Sequence, residues 1–134
     1  MESNLFKRLK AITPEFDWQR HEDKLTSGIP DCSYGVNNIN GWVELKTYDR
    51  WPKDGMLKWD DLKPEQVNWL IRRGKEGGHC FLLLEVGTNP KTSDILLFTW
   101  SSLRKIREYN REELEVIALH FGNLKGVVKY LKTR

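Results

Sequence analysis

The chain has 134 residues, 39% of them apolar and 31% charged, and a formal net charge of +3. That length supports one domain with a substantial core, and that composition excludes a disordered chain. No apolar run approaches the ~20 residues of a membrane span, and Cys32 and Cys80 lack the spacing of a zinc site, so two buried, reduced thiols are expected.

The opening MESNLFKRLK is polar and charged, without the apolar region of a signal peptide, which predicts a protein that is not secreted. Residues 2–12 place Leu5, Leu9 and Ile12 at helical spacing, and Pro14 stops that helix. A polar first strand is expected over 16–24. Residues 31–36 and 41–48 read as two strands joined by the turn Asn37-Asn38-Ile39-Asn40. The following loop, 49–61, is too rich in Pro, Gly and Asp to be regular. A helix is predicted over 63–75, with Pro64 at its start, Val67, Leu70 and Ile71 on one face, and Gly77-Gly78 as a stop. The apolar run 79–86 predicts a strand buried on both faces, and 95–100 a further strand. In the tail, Ser101 or Ser102 is expected to cap a helix carrying Leu103 and Ile106. Asn110 with Glu113 resembles a capping box for another helix, ended by Gly122, and 127–131 is too short a run to assign. The order of elements predicts a single α/β domain over 1–134 with a mixed central sheet, a core at about 15–100 and a helical, basic part over 101–134. That basic tail suits a polyanionic partner or simply solvent.

One pair of runs stands out, Gly28-Ile29-Pro30-Asp31 and Trp42-Val43-Glu44-Leu45-Lys46. Side chains alternate along a strand, so Glu44 and Lys46 share a face with Trp42, while Val43 and Leu45 point to the core. If the two strands form a hairpin, Asp31 and Glu44 lie side by side, and two adjacent carboxylates repel unless something positive lies between them. A hydrated Mg²⁺ ion accepts one or two carboxylates and leaves its other positions to water and phosphate. Asp31, Glu44 and the carbonyl of Leu45 are the candidate ligands, and Lys46 is placed to stabilise charge on an attacked phosphate. Each residue also has a plain reading: Asp31 as a turn cap, Glu44 and Lys46 as an exposed ion pair of little worth. The joint spacing favours the site.

Pro30-Asp31 followed by Glu44-Leu45-Lys46 resembles the PD-(D/E)XK nuclease signature, and the longer runs resemble its VRR-NUC branch and small phage-type endonucleases. The resemblance spans about residues 15–100 and implies a restriction-endonuclease-like α/β core. It implies a metal-dependent deoxyribonuclease using Mg²⁺ or Mn²⁺, selective for branched or junction DNA, homodimeric, and cytoplasmic in a prokaryotic cell or virus-infected host. It adds Gln66, in the helix after the Glu44 strand, and an upstream acid, for which Glu22 is preferred over Glu15. Cleavage of linear duplex, DNA binding without catalysis, and a protein-interaction role are the alternatives.

Further candidates for DNA contact lie nearby. The loop 49–61 interleaves Trp51 and Trp59 with Lys53 and Lys58, a pattern that suits stacking and phosphate contact as well as it suits a packed loop. Arg72 and Arg73 close the 63–75 helix, where cations meet the helix dipole and can also reach phosphate.

Overall fold

The computed structural model describes residues 3–22 and 27–133. Ser3 caps the first helix, α1 (Asn4–Ala11), by accepting a hydrogen bond from the Phe6 N–H. Leu5, Phe6 and Leu9 form its buried stripe. Ile12 falls outside the helix as its C-cap and is exposed, because Pro14 halts the helix sooner than the apolar spacing suggests.

Six strands follow in spatial order β1 to β6: β1 (Asp17–Arg20), β2 (Cys32–Val36), β3 (Ile39–Tyr48), β4 (His79–Val86), β5 (Asp94–Thr99) and β6 (His120–Gly122). Only β3 and β4 pair in parallel. That pair needs a crossover, which the helix α2 (Pro64–Lys75) supplies. The expected first strand is shorter than 16–24, and the end of that span, 23–24, lies outside the described residues. The β2–β3 connection is tighter than the expected four-residue turn. Asn37 and Asn38 alone turn the chain, with φ of 51° and 62°, a two-residue primed turn that asparagine tolerates well.

The central strands of the sheet are covered on both faces. Val43 and Leu45 of β3, Leu83 of β4 and Leu97 of β5 meet α1 and the chain end on one face. Leu82 and Leu84 of β4 and Leu96 and Phe98 of β5 meet α2 on the other. A 12-residue helix is marginal alone in water, so the burial of Val67, Trp69 and Leu70, about 2 kcal/mol each, is what holds α2 in place. The Glu44–Lys46 face is therefore an interior surface, not the solvent side opposite a single core.

The tail departs most from expectation. Two short 3-10 turns, Trp100–Ser102 and Ile106–Glu108, replace the helix expected after Ser101. Asn110 does cap α3 (Arg111–Ile117) through a reciprocal bond with Glu113. That helix ends at Ile117, and Gly122 belongs to edge strand β6. The unassigned run becomes α4 (Val128–Leu131), which closes the first core with Leu131. Cys32 and Cys80 are both fully buried, as expected. No helix among the described residues is long and apolar enough to cross a membrane.

Candidate active site

The β2–β3 register pairs Cys32 with Val43, which brings Asp31, just before β2, against Glu44. The backbone N–H of Asp31 donates to Glu44 Oε1 at 3.2 Å. Asp31 Oδ2 in turn accepts the N–H of Leu45 at 2.8 Å. The two acids are thus locked to each other's strands, and neither can swing away without breaking a backbone contact.

Lys46 and Gln66 complete the cluster. Lys46 Nζ lies 3.2 Å from Glu44 Oε2 and donates to the Asp61 carbonyl at 2.7 Å, with the Asp61 carboxylate 3.7 Å away. Glu44 is 1% exposed and Lys46 6%, so this is an interior ion pair rather than the exposed one of the plain reading. Burying charge is tolerated only when it is paired and hydrogen-bonded. Gln66, in the first turn of α2, satisfies both needs of its amide. Its Oε1 accepts the Lys63 N–H at 2.8 Å, and its Nε2 donates to Glu44 Oε2 at 3.2 Å. The crossover helix thereby delivers a neutral donor to an acidic pair.

Gly28 explains how the approach to Asp31 can pass so close to α2. Its φ is +84°, and a Cβ there would lie 2.2 Å from the Glu65 carbonyl oxygen. Only glycine accepts both conditions. Gly28 is thus a packing requirement on the segment that leads to Asp31, just before β2.

Several further residues join the cluster. Arg20 Nη1 donates to the Asp31 carbonyl at 3.2 Å and lies 4.0 Å from Asp31 Oδ1, while its Nε is buried with no hydrogen-bond partner among the described residues. His21 donates its N–H to the same carbonyl, and its Nε2 is 2.8 Å from Ser33 Oγ. Tyr48 donates to Asp61 Oδ1 at 2.8 Å, and burial together with that bond raises its phenol well above the ordinary range. Tyr48 was within reach of sequence reasoning, since it follows Glu44 and Lys46 at the strand period. Asp61, in an irregular loop, was not.

The remaining candidates separate clearly. Glu22 is exposed and follows β1 at its Asp31 end, whereas Glu15 precedes the opposite end of the strand. Leu45 is buried and meets the cluster through its N–H. Trp59 cannot stack on a base, and that expectation is corrected: it is 0% exposed, with its ring edge-on to Tyr48 inside the second core. Its φ of 53° is unusual for a bulky residue, held by packing and by Arg107, which donates to its carbonyl. Trp51 is half-buried, donates to Asp94 Oδ2 at 2.9 Å, and has the Arg111 guanidinium over its ring. Lys53, Lys58, Arg72 and Arg73 are exposed.

Among the described residues, no three His, Cys, Asp or Glu side chains are grouped to hold a metal by themselves. Two carboxylates fixed on adjacent strands nevertheless fit an ion that takes part of its shell from water and substrate, which is the habit of Mg²⁺. Asp31 and Glu44 would hold it.

No protein-family model matches the chain, and no curated protein sequence does. A solved structure does: the Holliday junction resolvase Hjc of the archaeal hyperthermophile Archaeoglobus fulgidus, at a TM-score of 0.61 and 15% identity, with 95% of each chain covered. The two chains share a fold. The expected α/β architecture, a mixed sheet flanked by helices, is the one observed.

Proposed function

We propose that this chain is a divalent-metal-dependent endonuclease that hydrolyses DNA phosphodiester bonds, selectively at branched or junction DNA. The observation that carries this reading is the convergence of Asp31, Glu44, Lys46 and Gln66 into one hydrogen-bonded cluster, on a fold shared with a junction resolvase.

Asp31 and Glu44 would bind Mg²⁺ or Mn²⁺, which supplies Lewis acidity toward the phosphate and lowers the pKa of bound water. The chain's own residues do the rest. Lys46 holds its ammonium at Glu44, where it can orient the attacking water and offset charge on the phosphate oxygens. Gln66 adds a donor without adding charge, and Glu22, at the Asp31 end of β1, is the candidate upstream acid. Lys53, Lys58, Arg72 and Arg73 offer exposed cations to the phosphate backbone. Two copies acting as a homodimer would present two such sites to a four-way junction.

The test is a panel of labelled junction, flap, single-stranded and duplex DNA with Mg²⁺, Mn²⁺ or EDTA. Cleavage of the junction with Mg²⁺, loss of cleavage in EDTA and in Asp31→Asn, and little cutting of duplex are expected. Equal cutting of duplex would replace junction selectivity with a restriction- or repair-type activity. Binding without any cutting would leave a DNA-binding domain, and salt-independent absence of binding would remove the nucleic-acid role.

A further inference from the structure

The face of the sheet that carries Glu44 and Lys46 is only partly covered. Helix α2 packs over β3, β4 and β5, but the rows built by β1 and β2 stay open beside it. The register stacks Gln19, Ser33 and Trp42 in one row, and Asp17, Gly35 and Asn40 in the next. Two hollows of about 420 and 290 Å³ lie along these rows and share Asn40 and Trp42. The first row is adjacent to the Asp31–Glu44 pair, so the trough leads directly away from the proposed site.

Its lining has a recognisable chemistry. Gln19 and Asn40 are exposed neutral amides, Ser33 contributes a hydroxyl, and Asp17 and Glu76 are exposed carboxylates of the same lining. Trp42 is half-buried against Trp69, and the Arg73 guanidinium lies 4.9 and 4.6 Å from the centres of the two indoles. From Glu44 to Asn40 the floor runs ~13 Å along an extended strand, which is room for about two nucleotides. Amides and hydroxyls read base edges and sugars, an indole stacks on a base, and an arginine meets phosphate.

We infer that this trough seats an unpaired strand of the nucleic acid beside the scissile phosphate, with a base against Trp42 and a phosphate at Arg73. The inference rests on the nuclease reading above and deepens it: a site that needs unpaired nucleotides next to the cut discriminates against continuous duplex.

The test measures binding to a labelled flap oligonucleotide in Ca²⁺, in parallel with cleavage in Mg²⁺. Gln19→Glu combined with Asn40→Asp places two like charges on exposed positions that need no core contact, and should weaken flap binding roughly fivefold per charge. Trp42→Leu should cost roughly tenfold, and Trp42→Phe much less, since a flat ring remains. For blunt duplex the same variants should change binding little. If the wild type cuts DNA but the charge variant binds the flap as well as wild type does, the trough is not the strand path. Equal losses on flap and duplex would equally overturn the unpaired-strand assignment. If the wild type neither cuts nor binds any of these substrates, the nuclease reading itself fails.

Discussion

Lys46→Met is the most informative single perturbation, because Lys46 is both a proposed catalytic group and the counter-charge of a buried acid. Glu44 has a side chain that is 1% exposed, and Lys46 neutralises it at 3.2 Å. Without the ammonium, Glu44 keeps neutral donors such as the Asp31 N–H and the Gln66 amide, but loses its cation at 3.2 Å. Breaking a buried pair by removing one partner costs about 3–5 kcal/mol. The low end applies here, since the second partner, Asp61, is largely exposed and contributes little. For 134 residues, an unfolding entropy of about 2.1 cal/mol/K per residue turns about 3 kcal/mol into a fall of about 11 °C in Tm. The assay is thermal unfolding in EDTA, repeated with Mg²⁺. A cation held at the proposed metal site would substitute for the lost ammonium beside Glu44, so Lys46→Met should gain more from Mg²⁺ than wild type does. Glu44→Gln combined with Lys46→Met should recover much of the loss, because no buried charge is then left alone. A Lys46→Met protein that melts within about 2 °C of wild type in EDTA would refute the claim that this pair is buried and coupled.

Three further outcomes are expected. Gly28→Ala should depress cleavage more than stability, because a Cβ 2.2 Å from the Glu65 carbonyl forces the segment leading to Asp31 away from α2; wild-type activity would show that the approach is not needed. Trp59→Ala should cost about 3–5 kcal/mol in urea unfolding, as for other buried aromatics, while the folded fraction binds DNA normally. A DNA-binding defect without a stability loss would restore the stacking role. Burial raises the Cys80 thiol from 9.0 to about 12, and raises Tyr34 and Tyr48 as well. Raised acids stay protonated in the fold but ionise in the unfolded chain, so their contribution is intact below about pH 9 and is lost as pH climbs toward the folded values. Urea midpoints measured across that range should fall on the alkaline side, and a constant midpoint up to pH 11 would contradict it.

Local chemistry alone determined a large part of this protein. Alternation in β3 puts Glu44 and Lys46 on one face, Pro64 opens α2, and the run 79–86 has the near-continuous apolarity of a doubly covered strand. These follow from backbone periods and propensities, which act within a few residues. The placement of Gln66 was half legible: its position in the helix was readable, its bond to Glu44 was not. Only the tertiary structure decided that the Glu44 face is interior, because that depends on α2 and the 49–61 loop folding over it. The same packing turned Trp59 from a surface aromatic into a core residue, and drew Asp61, Arg20 and His21 to the cluster from separate segments. In the tail, Leu103 and Ile106 have helical spacing, yet Leu103 is buried just after one 3-10 turn and Ile106 within the next. A spacing of three apolar positions is equally served by either geometry, and contacts with residues distant in sequence made the choice.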